Sequence, residues 1–207
     1  MHEPVRVPAV KAFRINEIFY SVQGEGTRAG SPNLFIRFQG CNLRCRRESH
    51  GFDCDTEFVS GRPWTAEEMV LHMKQLAPDC NWIVLTGGEP ARQTDAGLVA
   101  YLHDRGYRLA VETNGTLPLP TGIDWITVSP KVAEHAIRQR VANEVKYVRG
   151  YGQGIPHTVV KADHYLVSPA FEGNALDPRT LQWCIDLVKN NPKWSLSVQQ
   201  HKFWSIR

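Results

Sequence analysis

With 207 residues the chain is within reach of one hydrophobic core, and a single domain over 1–207 is expected rather than two. Hydrophobic residues make up 42% and charged residues 22%, with 6 Trp, 8 Phe and 6 Tyr, which excludes a disordered, collagen-like or coiled-coil chain. The net charge of +3 comes from mixed charges with no Lys/Arg run to track a phosphate backbone, no stretch reaches the roughly eighteen apolar residues of a membrane span, and the polar start 1–11 lacks a signal peptide's apolar block; no nucleic acid, no membrane and a cytoplasmic location are therefore expected.

In chain order, Leu34, Ile36 and Phe38 alternate with Phe35, Arg37 and Gln39, a strand ending at Gly40 with Arg37 on the face opposite Ile36. Thr65 and Glu68 form a capping-box pattern, and Met69, Met73, Leu76 and Ala77 recur at helical spacing up to Pro78. Trp82 to Thr86 is a short apolar run cut off by Gly87-Gly88, as in a strand covered on both faces. A helix from about Asp95 to Arg105 closes at Gly106 and leads to a strand at Arg108 to Val111. Further strands are expected at Trp125 to Val128, Glu144 to Val148, Tyr165 to Val167 and Ser195 to Val198. Before the last, Asp177-Pro178 opens a helix with Leu181, Ile185 and Val188 as its buried stripe. This alternation predicts an α/β fold with a parallel sheet, open or partly closed into a barrel.

The polar clusters have a common place. Cys41, Gly87-Gly88-Glu89, Glu112-Thr113-Asn114, Ser129-Pro130-Lys131, Ser168-Pro169 and Gln199-Gln200-His201 each lie just past the carboxyl end of an expected strand. In a parallel sheet that edge is where loops converge on a ligand, so one site built from many loops is predicted.

Cys41, Cys45 and Cys54 share one loop over residues 41–54, with three residues and then eight between them. Three thiolates can hold three corners of a 4Fe-4S cluster and leave one iron without a protein ligand. The alternative is a structural zinc site completed by His50. Cys80 and Cys184 stand alone beside apolar runs and read as buried or half-buried free thiols. Gly87-Gly88-Glu89-Pro90 is either a plain turn or a place where the Glu carboxylate or neighbouring backbone accepts from an ammonium. Ser129-Pro130-Lys131 is likewise a strand-end turn or a hydroxyl contact to a ligand. Gln23-Gly-Glu-Gly precedes a strand, which argues against a phosphate cradle; it is a hairpin turn or a means of projecting Gln23 and Glu25 into a pocket. Asp55-Thr56 could offer oxygens to magnesium, which keeps most of its waters.

Several runs together carry a resemblance: Glu17-Ile-Phe-Tyr-Ser-Val-Gln-Gly-Glu-Gly-Thr, Phe35-Ile-Arg-Phe-Gln-Gly-Cys-Asn-Leu, Cys54-Asp-Thr-Glu-Phe, Thr86-Gly-Gly-Glu-Pro, Glu112-Thr-Asn-Gly, Ser129-Pro-Lys, Glu144-Val-Lys and Gln200-His-Lys. Over nearly its whole length the chain is similar to the 7-carboxy-7-deazaguanine synthase family of radical S-adenosylmethionine enzymes. It departs from the superfamily's usual cysteine signature in the eight-residue spacer before Cys54, six longer than the commonest form. The resemblance implies a partial parallel β/α barrel. It implies a 4Fe-4S cluster on Cys41, Cys45 and Cys54, and S-adenosylmethionine against Gly87, Gly88, Glu89, Ser129, Lys131 and Gln199. Magnesium would bind at Thr56, and a pterin substrate against Gln23, Glu25, Arg37, Glu112, His201 and Arg207. The implied reaction converts 6-carboxy-5,6,7,8-tetrahydropterin to 7-carboxy-7-deazaguanine with loss of ammonia, started by hydrogen abstraction. An electron donor such as flavodoxin or ferredoxin, a homodimer, and a tail 199–207 closing the pocket, with Trp204 and Ile206 docked and the terminal carboxylate reaching the substrate, are implied too. Two rival readings stand beside it: a radical activase acting on a partner protein, and a non-enzymatic zinc module that recognises nucleic acid.

Overall fold

The computed structural model describes residues 11–54 and 56–207; the expectation for 1–10 and the candidate oxygen ligand Asp55 lie outside the described residues. Strands β1 (Ala12–Val22), β2 (Pro32–Phe38), β3 (Arg62–Thr65), β4 (Trp82–Gly87), β5 (Arg108–Thr113), β6 (Trp125–Val128), β7 (Val141–Arg149), β8 (Lys161–Pro169) and β9 (Trp194–Leu196) form one open nine-stranded sheet in the order β3-β1-β2-β4-β5-β6-β7-β8-β9. From β2 through β9 every neighbouring pair is parallel. The open α/β sheet agrees with the expected partial barrel, with one correction. β1 pairs antiparallel with both β2 and β3, so the sheet is mixed. The period of β1 hides it: Phe13 and Ile15 are buried alternately, the register then shifts between Ile15 and Glu17, and Ile18 and Phe19 are both buried in succession. A bulge of this kind inserts a residue and flips the side chains beyond it to the other face.

Helix α1 (Arg47–His50) lies in the cysteine loop, and α2 (Ala66–Leu76), α3 (Ala96–His103), α4 (Pro178–Asn190) and α5 (Gln200–Trp204) follow. The capping box that begins α2 is present: the Glu68 amide donates to Thr65 Oγ1 at 3.1 Å and the Thr65 amide donates to Glu68 Oε2 at 2.7 Å. α2 and α3 cover one face of the sheet, where Leu34, Ile36, Phe38, Met69, Met73, Ile83, Leu85, Leu102, Leu109 and Val111 are fully buried. The alternate residues Phe19, Phe35, Val84 and Ala110 make a small cluster on the other face, with Phe19 and Phe35 stacked at 5.0 Å.

Period 2 then settles where the chemistry goes. On β7, Val145 and Tyr147 enter a second apolar core, which aims Glu144 and Lys146 the opposite way. On β5, buried Val111 belongs to the helix-covered core and Glu112 is turned from it. Register pairs Glu112 with Thr127 and Thr127 with Glu144, so these polar groups form a row across the uncovered face. Among the described residues no helix is long and apolar enough to cross a membrane.

Candidate active site

A cavity of about 840 Å³ opens at the carboxyl edge of the parallel strands. Cys41, Cys45, Cys54, Thr56, Gly87, Gly88, Ser129, Lys131, Gln199, Gln23, Glu25, Arg37, Glu112, His201 and Arg207 all line it. Among the described residues Glu89 and the alternative zinc ligand His50 lie outside the lining.

At the floor of the cavity sits a charge network. Lys146, only 4% exposed, places its Nζ 2.5 Å from Glu25 Oε2 and 3.3 Å from Glu112 Oε2. Gln199 Nε2 donates to Glu25 Oε1 at 2.8 Å, and Gln23 Nε2 donates to Glu112 Oε1 at 3.4 Å. Burial opposes ionisation of Glu25, but Lys146, Gln199 and His201 outweigh it and hold the carboxyl down at about 2. Burial dominates at Glu112, only partly offset by Lys146 and aggravated by Glu144 and Glu25, and pushes it up to about 7. Burial also disfavours the Lys146 ammonium, yet the carboxylates of Glu112, Glu25 and Glu144 more than offset this and keep it charged. One cavity therefore holds two carboxyl groups of opposite tendency, an arrangement suited to a ligand edge offering both donors and acceptors.

The turn carrying Gln23 and Glu25 explains its glycines. Gly26 has φ of 71°, and a side chain there would meet the carboxylate of Glu144; one at Gly24 would meet His201. Glu144 Oε2 in turn accepts from the Thr27 amide at 3.0 Å and Thr27 Oγ1 at 2.9 Å, and Glu144 Oε1 accepts from Thr127 Oγ1 at 2.9 Å. This buried carboxylate ties the turn to the sheet.

At the side wall, Glu17 on β1 binds two arginines. Arg37 Nε donates to Glu17 Oε1 at 2.8 Å and Arg207 Nη1 donates to Glu17 Oε2 at 3.2 Å. Arg37 also lies over the Phe19 ring at 5.6 Å. The last residues lie against the site: Gln200 donates its amide to the Gly24 carbonyl at 2.9 Å, and Ser21 Oγ donates to the Arg207 carbonyl at 2.8 Å. Phe203 packs edge-on against Phe171, and of the two residues expected to dock Ile206 lines the cavity at 40% exposure while Trp204, the last residue of α5, does not line it and is 43% exposed.

At the other end are the thiols. The eight-residue spacer contains the four-residue helix α1, closed by Gly51 in the left-handed region, and its carbonyl at His50 accepts from Gln153 Nε2 at 3.4 Å. Cys45 and Cys54 are joined by a Cys54 amide to Cys45 carbonyl bond of 3.3 Å. Burial raises the thiol pKa of Cys41 and of Cys45; Glu89 and Cys54 add to the rise at Cys41, and Cys54 and Cys41 to that at Cys45 against the opposing charge of Lys131. Thiolates on one zinc at about 2.3 Å would stand within about 4 Å of each other. Among the described residues no three His, Cys, Asp or Glu side chains converge in that way, and His50 Nδ1 lies 2.7 Å from Ser49 Oγ and 3.3 Å from the Arg46 amide, outside the cavity. Three thiols lining one cavity match the donor set of a multi-iron cluster, where each thiolate takes its own iron. Cys80 is half-buried and Cys184 buried, with its thiol pushed up to about 11 by burial; neither lines the cavity.

Glu89 is fully buried, and its carboxylate accepts from Thr113 Oγ1 at 2.7 Å, the Asn114 amide at 2.8 Å and the Ala91 amide at 3.0 Å. Its acceptors are thus committed to the protein, and of the two options left open by the sequence the neighbouring backbone is the one facing the cavity. The Glu89 amide donates to the Gly40 carbonyl at 3.0 Å, which fastens this segment to the start of the cysteine loop, and a side chain at Gly88 would collide with Gly40. Lys131 Nζ donates to Ser129 Oγ at 2.6 Å on the facing wall. Sequence reasoning assigned no role to Lys146, Glu144 or Glu17. The run Glu144-Val-Lys146 carried the signal, since two charges two residues apart in an otherwise apolar strand must share one face.

Comparison with known proteins gives the family and the fold. Residues 22–149 match the family described as a 4Fe-4S single cluster domain. The chain is 40% identical over 195 residues to the 7-carboxy-7-deazaguanine synthase of Bacteroides thetaiotaomicron, covering 94% of this chain and 98% of that one. It is 37% identical over 212 residues to the protein of the same name from Bradyrhizobium diazoefficiens, covering 95% and 100%. The crystal structure of QueE from Escherichia coli has the same fold, with a TM-score of 0.69 at 24% identity over 92% of this chain and 95% of that one.

Proposed function

Because the chain belongs to the 7-carboxy-7-deazaguanine synthase family, we propose that its cavity converts 6-carboxy-5,6,7,8-tetrahydropterin to 7-carboxy-7-deazaguanine with loss of ammonia. The observation that carries the reading is the division of one cavity between three thiols at one end and the Glu25–Lys146–Glu112 network at the other, with Arg37 at the side. Cys41, Cys45 and Cys54 would hold the 4Fe-4S cluster. When bound, the cluster and S-adenosylmethionine supply the electron and the radical that abstracts hydrogen from the substrate.

The chain's own residues bind and orient. Ionised Glu25 accepts from the N–H donors of the pterin edge, and Gln23 and Glu112 complete that edge. Arg37, held in plane by Glu17, presents its fork to the substrate carboxylate, with Arg207 beside it. Thr56 would offer its hydroxyl to a magnesium ion, which would offset negative charge beside the substrate. Gly87, Gly88, Ser129, Lys131 and Gln199 receive S-adenosylmethionine between the two ends, with Glu89 setting the Gly-Gly backbone from behind. His201 and the 199–207 segment cover the substrate and exclude water. A homodimer, a cytoplasmic location and an electron donor such as flavodoxin or ferredoxin follow from the family resemblance.

The test is anaerobic turnover of reconstituted protein with reductant, S-adenosylmethionine, magnesium and the carboxylated pterin, read by mass. The deazapurine forms with the wild type, and Glu25→Ala loses it together with pterin binding. Product absent from the wild type, or pterin binding unchanged in Glu25→Ala, overturns the reading.

A further inference from the structure

The turn that carries Gln23 and Glu25 is fastened along the segment that follows β9. The Gly26 amide donates to Ser197 Oγ at 2.9 Å, the Gln200 amide donates to the Gly24 carbonyl at 2.9 Å, and between them Gln199 Nε2 donates to Glu25 Oε1 at 2.8 Å. Ser197 is buried and its amide donates to the Val167 carbonyl of β8 at 2.9 Å, so the backbone beside Gln199 is anchored to the sheet. These bonds fix which way the Gln199 amide points. Glu25 is held ionised beside Lys146, and a carboxylate only accepts, so the NH2 end of the Gln199 side chain must face it. The carbonyl end is then what Gln199 presents to a second ligand, and a carbonyl takes only a donor. Gln199 shares its cavity with Gly88, Ser129 and Lys131 as well as with Glu25. S-adenosylmethionine carries suitable donors in its ammonium, its ribose hydroxyls and its adenine amino group.

We propose that Gln199 is the positioning residue through which substrate and cofactor sense each other: its amide nitrogen holds the Glu25 carboxylate toward the pterin while its amide oxygen accepts from a donor of S-adenosylmethionine. The proposal rests on the function assigned above. Hydrogen bonds at the two ends of one amide reinforce each other, because donation at nitrogen makes the oxygen a better acceptor. Whichever ligand arrives first also orders the Gln199 side chain for the second. Such coupling is reciprocal, so the factor by which S-adenosylmethionine tightens pterin binding equals that by which the pterin tightens S-adenosylmethionine binding. The cofactor is thereby held most firmly when a substrate is present to receive its radical.

The experiment uses the full chain with its oxidised cluster and no reductant, so that nothing turns over. Affinities for S-adenosylmethionine and for the carboxylated pterin with magnesium are measured by anaerobic equilibrium dialysis, each alone and with the other saturating. In the wild type each ligand is expected to tighten the other about tenfold. In Gln199→Leu, which keeps the bulk and removes both ends of the amide, that factor falls to about one in both directions, whereas a merely structural role would weaken each ligand and leave the factor standing. Gln199→Asn, whose amide is one methylene short of spanning the two ligands, loses the factor too and decides the matter should the Leu variant lose its cluster. Gln200→Ala, whose side chain does not line the cavity and whose backbone bond to Gly24 is kept, retains wild-type coupling. Wild-type coupling in Gln199→Leu or Gln199→Asn, an equal loss in Gln200→Ala, or a wild type that binds the two ligands independently overturns the proposal and leaves the assigned function standing. A wild type that binds S-adenosylmethionine but no carboxylated pterin refutes the assigned function, and the proposal with it.

Discussion

The ammonium of Lys146 stands between two carboxylates, 2.5 Å from Glu25 and 3.3 Å from Glu112, with 5% of its side chain exposed. Removing one partner of a buried ion pair leaves the other charges uncompensated, at about 3–5 kcal/mol. Lys146→Met is expected to lose stability on that scale in urea unfolding and to bind the pterin poorly. Adding Glu25→Gln, which deletes the carboxylate that Lys146 holds ionised, restores part of the loss. A Lys146→Met protein as stable as the wild type contradicts the network.

Glu112 gives stability a pH slope opposite to that of Glu25. Its folded pKa of about 7 lies above the ordinary 4.5, so between those values the native state holds more protons than the unfolded chain, and stability falls as pH rises through the window. Glu25, held at about 2, stabilises above 4.5 and loses that contribution only as pH falls toward 2. From pH 5 to 8 the Glu112 contribution amounts to about 2–3 kcal/mol. Denaturant midpoints across this range should therefore decline more steeply for the wild type than for Glu112→Gln; parallel curves refute the assignment.

Glu17 orders two guanidiniums at once, which makes it a positioning residue for substrate carboxylate recognition. Glu17→Gln keeps the shape but weakens charge-assisted bonds to both arginines. A rise in KM for the carboxylated pterin of about tenfold with kcat little changed is expected, corresponding to about 1.4 kcal/mol. Binding of a pterin lacking the carboxylate should not change. An equal effect on both compounds would mean that Glu17 acts on the fold alone.

Much of this was legible in the sequence because parallel strands obey a simple rule. Each apolar run ends where its polar cluster begins, so Cys41, Gly87, Glu112, Ser129 and Gln199 could be placed on one edge before any contact was known. The strands found late, β1 and β3, pair antiparallel, and a bulge broke the period of β1. Lys146 and Glu144 escaped assignment because a buried charge looks like any other charge until the register of β5, β6 and β7 is known. The partners of Glu89 were hidden for a similar reason: only the folded chain brings three donors together on its carboxylate. The spacer before Cys54 was unreadable by motif, since it carries no familiar spacing and one of its contacts is to Gln153, far away in sequence.

What Cys41, Cys45 and Cys54 hold decides which chemistry the cavity can perform. Iron and acid-labile sulfide should be measured on anaerobically reconstituted wild type and on each single Cys→Ala variant, alongside the visible spectrum. About four irons and four sulfides per wild-type chain, with loss of both in all three variants and none in Cys80→Ala or Cys184→Ala, is the predicted result. A colourless wild type holding one zinc, or full iron content after loss of any of the three thiols, would contradict it.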